Sequence, residues 1–228
     1  GWLALSRSGF TKPLKISAGN SRPDIVIVVL DEHARADMMR EIFGLKDYNF
    51  DTQLRKRGFQ VVDDSVSSYS WTRDSLTSAL NLDYLPTSLK SHESKLMALR
   101  GNRTLRFFSD LNYQVLVASY CSLTDDLSFV DEYLDHNHLL SGQFYETFRK
   151  LSLCAAWDHF QQHNWPRFYT TERQAVLDTL AALHRVRLGG PTFVFAHLLC
   201  PHRPLVFDAE GRLPASRPSN DPGQYRRM

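Results

Sequence analysis

The chain has 228 residues, 43% of them hydrophobic and 23% charged, a balance that suits a globular protein with a sizeable core. A formal net charge of +2, with no block of like charge, gives no electrostatic case for nucleic acid as a partner. Cys121, Cys154 and Cys200 lack CxxC spacing, so neither a zinc knuckle nor a disulfide framework is indicated and the reading is buried free thiols, and no apolar run reaches the ~18 residues of a membrane span.

Residues 1–22 read as a lead-in broken by Pro13 and Ser21, and 23–228 as one domain. Ile25 to Leu30 is an unbroken, β-branched apolar run that stops at Asp31 and Glu32. It predicts a strand buried on both faces, as in a parallel sheet. The two acids then lie at its carboxyl end, where open α/β sheets place ligands, so a carboxylate there is a candidate for metal or catalytic chemistry. The plainer alternative is a solvated pair opening a loop.

His33 to Leu45 carries apolar residues at helical spacing and ends near Gly44. Phe50 to Lys56 predicts a second helix closed by Gly58, and Phe59 to Val62 reads as strand-like. In Tyr69 to Leu85, Leu76, Ala79 and Leu80 recur at helical spacing, with Thr72 at the helix start and Ser75 three residues on. The Thr72 hydroxyl can be an ordinary cap, or it can lie where helix N–H groups favour a phosphate or sulfate oxygen. Ser75 is the alternative hydroxyl.

Ser91 to Asn112 predicts a helix interrupted at Gly101, and Tyr113 to Ser119 a second buried strand. The acidic stretch to His138, with Asp125, Asp126, Asp131, Glu132, Asp135 and His136, reads as a solvated loop or lid. Gln143 to Arg173 is aromatic-rich, which favours packing over a cofactor box, and Glu172 to Arg187 is an amphipathic helix. Thr192 to Leu199 is a third buried strand. His197 falls inside it as a core histidine, and His202 beyond it, framed by Pro201 and Pro204, as the better anion-binding candidate with Arg203 beside it. After Phe207 only loop signals remain. Strand, helix, strand order gives an α/β fold with a mostly parallel sheet flanked by helices.

Three segments, in order, resemble the amino-terminal part of the alkaline phosphatase superfamily: IVIVVLDEHARAD, YSWTRDSLTSALNLDYL and FVFAHLLCPHRPLVFDAEG. The likeness spans about Arg22 to Gly211 and is nearest to the sulfatase-like, membrane-anchored branch with the lipoteichoic acid synthases and phosphoethanolamine transferases. It implies a three-layer sandwich, truncated at the carboxyl end. It also implies Asp31 as first metal ligand, Thr72 as nucleophile and metal ligand, His202 and Arg203 as substrate-binding residues, and a divalent ion: zinc, manganese, magnesium or calcium. The implied substrate is a phosphate or sulfate ester, possibly lipid- or glycan-linked. The implied setting is extracytoplasmic, tethered by membrane segments absent from this chain.

Two departures qualify the likeness. Ser70 to Asp74, SWTRD, lacks the Pro and Arg of a formylglycine sulfatase, and no Ser-Asp-His-Gly sequence supplies the later metal ligands. The expectation is a fragment with about half a metal site, inactive by itself. The alternative is a non-catalytic domain of the same fold with a binding or structural role.

Overall fold

The computed structural model describes residues 10, 22–119, 123–124, 126–134, 165–186, 190–202, 205–208 and 210–214. Three apolar runs become strands: β1 (Ile25–Leu30), β2 (Gln114–Ser119) and β4 (Thr192–Leu198), with a two-residue β3 (Glu132–Tyr133) between the last two in sequence. They form one sheet in the order β1-β4-β2-β3, every pair parallel. Parallel pairing needs long crossovers, and helices fill them. α1 (Ala36–Glu41), α2 (Phe50–Lys56), α3 (Thr72–Asn81), α4 (His92–Arg100) and α5 (Arg103–Asp110) separate β1 from β2, and α6 (Trp165–Arg185) precedes β4.

Side chains alternate between the two sheet faces, so register decides what each helix meets. Ile25 pairs with Phe193, Ile27 with Phe195 and Val29 with His197, which puts these residues on one face. Leu76 and Leu80 of α3, Leu99 of α4 and Leu105 of α5 pack there against Phe193, Phe195, Val115 and Val117. Residues of the other parity, including Leu116, Ala118, Val194 and Ala196, are buried on the opposite face, and α6 packs against β2 and β4. The result is an α/β protein whose parallel sheet is flanked by helices.

Several local expectations need correction. β1 is not buried on both faces: it is the edge strand of the described sheet, and Val26 and Val28 are 52% and 49% exposed. An apolar run reads alike in a central strand and at an edge whose outer valines stay in water. Phe59 to Val62 joins no strand; Phe59 and Val62 are exposed, 60% and 59%. The helix after β1 is only the six residues of α1, stopped before Gly44, whose φ is +69°.

The Gly101 interruption splits the long helical stretch cleanly. Ser91 caps α4 by accepting from Ser94 N–H, and Asn102 caps α5 by accepting from Leu105 N–H. α6 begins at Trp165, earlier than the amphipathic pattern from Glu172 indicated. The rest of the aromatic segment, 143–164, lies outside the described residues, as do Cys121, Asp125, Asp135, His136, His138 and Cys154.

Candidate functional site

β1 ends at Leu30, and the N–H of the next residue, Asp31, still donates to Leu198 O at 3.0 Å, so the ladder carries Asp31 to the sheet edge before the chain turns. By parity Asp31 follows Val29 onto the face covered by α3. Glu32 then adopts φ +59°, the left-handed region that non-glycine residues rarely occupy. That single reversal sends the adjacent carboxylates to different neighbours.

Asp31 is 9% exposed. The Thr72 hydroxyl donates to its Oδ1 at 3.1 Å and lies 3.4 Å from Oδ2. Thr72 is the first residue of α3, and the residue before it, extended Trp71, supplies no side-chain cap. The hydroxyl is therefore spent on Asp31 rather than on capping. Ser75 is differently placed: its Oγ donates to Tyr69 O at 2.9 Å and bonds Ser67 Oγ at 3.0 Å.

His197 is the residue that sequence reasoning set aside. It is fully buried, and its Nε2 lies 3.5 Å from Asp31 Oδ2. Its signal was the register: two residues after Phe195 on the same face, opposite Val29 of β1 and Ser119 of β2. His202 takes up the second acid, with Nε2 3.5 Å from Glu32 Oε1, both at the solvent side. Asp31, Thr72 and His197 thus form one cluster and Glu32 with His202 an adjoining pair. Arg203 lies outside the described residues.

Burial alone would push the Asp31 carboxyl up. The His197 imidazole 3.5 Å away, then the Thr72 hydroxyl and the His202 ring, outweigh it and hold the group below its usual range. Asp31 is accordingly a persistent anion and a poor proton acceptor.

Carboxylate and hydroxyl oxygens suit a hard divalent cation in kind. They fall short in number: among the described residues no group of three or more His, Cys, Asp or Glu side chains is arranged to hold a metal ion. Nor is any helix among them long and apolar enough to cross a membrane. Cys200 is a half-buried free thiol whose pKa burial raises, which disfavours the nucleophilic thiolate.

The site is a sheet-edge cluster, not a cavity. Two cavities of about 800 and 730 Å³ adjoin it and share His33, Tyr48 and Phe50, but neither is lined by Asp31 or Thr72. The chain matches no family model, no curated protein and no solved structure.

Proposed function

We propose that this chain carries the ester-handling site of a sulfatase-like hydrolase or group transferase of the alkaline phosphatase superfamily, with Thr72 as nucleophile. The observation that supports it is the hydrogen bond from Thr72 to Asp31 at the carboxyl edge of a parallel sheet. A helix-start hydroxyl pulled away from capping and fixed on a buried carboxylate is positioned for attack.

Asp31 orients the hydroxyl and supplies negative charge; its lowered pKa makes it a better ligand than base. A divalent cation held by Asp31 and Thr72, with donors beyond this pair, would supply the charge that makes the Thr72 oxygen nucleophilic at neutral pH. Thr72 Oγ1 forms a bond to phosphorus or sulfur as the bond to the leaving alkoxide breaks, the hydroxyl proton passing through solvent to that alkoxide, giving a Thr72 ester and a free alcohol. Water or an acceptor hydroxyl then breaks that ester and restores the hydroxyl. His202, with Arg203 after it in sequence, holds the remaining anionic oxygens. A lipid- or glycan-linked ester outside the cytoplasm, reached by a membrane-tethered parent protein, fits the same reading.

The test is Thr72→Ala in the full-length protein, assayed on 4-nitrophenyl phosphate and 4-nitrophenyl sulfate. Loss of turnover with an unchanged circular dichroism spectrum is expected, and undiminished turnover refutes the reading. Mapping the covalent adduct separates Thr72 from Ser75.

A second reading, a non-catalytic domain of this fold used for binding or structure, is favoured by the two-donor set among the described residues. Calorimetric titration of the full-length protein with Mn²⁺ and Zn²⁺ decides between them: no binding dependent on Asp31 selects the second reading.

A further inference from the structure

The first turn of α3 is held from two sides. Thr72 faces the sheet along with Leu76 and Leu80, one and two turns on, which belong to the core cluster with Phe193 and Phe195. Asp74, two residues after Thr72, lies about 200° around the helix axis and faces α4 instead. It is 7% exposed; its Oδ2 accepts from Lys95 Nζ at 2.6 Å and its Oδ1 from Arg73 Nε at 3.2 Å. Thr77 and Asn81 continue that stripe, both fully buried. Thr77 Oγ1 donates to Arg73 O at 2.7 Å and lies 3.4 Å from Lys95 O, while Asn81 Nδ2 donates to Ala98 O at 3.2 Å. The seam between α3 and α4 is therefore polar where the contact of α3 with the sheet is apolar.

The two contacts constrain the helix differently. Burial of leucines has no direction, so an apolar contact alone tolerates a slide or a small rotation. A charge-assisted hydrogen bond has a short, set length, and buried polar contacts are suited to fixing register. The bond from Lys95 to Asp74 sets the height and rotation of the turn that brings Thr72 Oγ1 to 3.1 Å from Asp31. We propose that Lys95, acting through Asp74, is a positioning residue for the Thr72 hydroxyl, holding the first turn of α3 against α4 so that Oγ1 stays on the Asp31 carboxylate. Its effect on turnover rests on the ester-handling function proposed above. Its effect on the Thr72 side chain does not, and the two are measured separately.

The test uses the full-length protein with isotope-labelled threonine methyl groups, whose three-bond couplings report the χ1 rotamer of Thr72 by NMR. Lys95→Met keeps the hydrocarbon stem and removes the ammonium. Asp74→Asn keeps the side-chain shape and weakens the same bond, and it gives the reading should Lys95→Met not fold. Val176→Ala is the control, because it removes buried packing on α6, across the sheet from α3. One Thr72 rotamer is expected in the parent and in the control, and averaged couplings in Lys95→Met and Asp74→Asn. On 4-nitrophenyl phosphate or sulfate, kcat in Lys95→Met is expected to fall about tenfold to 100-fold with KM within about twofold, the effect of a misplaced reacting group. The control should keep the parental kcat at a temperature where every variant is folded. A single fixed rotamer in both seam variants, equal averaging in Val176→Ala, or an unchanged kcat in a protein that Thr72→Ala inactivates overturns the proposal. Averaging confined to the seam variants of a protein with no turnover keeps the positioning role and removes the ester-handling reading.

Discussion

Thr72 Oγ1 sits between the two carboxylate oxygens of Asp31, 3.1 Å from one and 3.4 Å from the other, across 41 residues of chain. Asp31→Asn retains the shape and an accepting oxygen while removing the charge. If the pair acts as proposed, turnover falls about 100-fold or more, the scale of losing one electrostatic contact at a reacting centre. Because the lowered Asp31 pKa contributes stability at neutral pH, the melting temperature should also fall modestly. Steady-state rates and a melting curve on the same sample measure both.

His197 carries the site and the core together. It is fully buried in a row with Phe193 and Phe195, so His197→Ala leaves a cavity that lowers unfolding free energy by about 2–4 kcal/mol in urea titration. His197→Phe refills the volume and is expected to recover part of that stability without restoring the contact to Asp31. Metal affinity or turnover in this second variant then reads the histidine's effect on Asp31 separately from packing.

Asn81 joins three helices through one buried amide. Its Nδ2 donates to Thr77 O and Ala98 O, and its Oδ1 accepts from Arg103 N–H. Asn81→Ala strands the Ala98 carbonyl and the Arg103 N–H away from water. A loss of about 2–4 kcal/mol in urea titration is expected, because buried groups left unsatisfied forfeit their full solvation. A variant within measurement error of the parent would show that water replaces the amide.

Asp74 sets an acid limb on stability. Burial pushes its carboxyl up, but Lys95 at 2.6 Å and Arg73 at 3.2 Å more than reverse this and hold it below 3.8. A carboxylate lowered in the fold contributes stability that is full above its unfolded value and lost as pH falls through the folded one. Asp31 acts in the same direction. The urea midpoint should therefore decline as pH drops below ~4. Asp74→Asn should flatten that decline and, at pH 7, lower stability by about 1–3 kcal/mol, the worth of hydrogen bonds to a charged group.

Strands β1, β2 and β4, the helix start at Thr72 and the break at Gly101 were legible because each rests on local chemistry: β-branched runs, helical spacing and a helix-breaking glycine; the short β3 was not, since Glu132 and Tyr133 lie in a stretch that reads as a solvated loop. Edge position was not. Whether Ile25 to Leu30 lies inside a sheet or at its rim depends on strand order, which no short pattern encodes. The same limit hid His197. Inside a hydrophobic strand it looks like a core residue, and only the pairing of Val29 with His197 brings it beside Asp31. Asp31 and Thr72 were accessible as separate candidates through sheet-edge and helix-start rules; their contact required the packing of α3 on one particular face. The exposure of Phe59 to Val62 shows the converse, a β-like composition that finds no free neighbour to pair with.

The adjacency of β1 and β4 also fixes when the site can exist. Asp24 accepts from Thr192 N–H across 168 residues, and β1 pairs with β4 along its whole length. During synthesis, the strand that delivers Asp31 leaves the ribosome well before the strand that delivers His197. Such long-range pairing is slow to form, because loop closure must precede the contacts that reward it. A nascent chain stopped before Thr192 holds Asp31 and Thr72 without the strand that aligns them, so assembly of this cluster waits for β4.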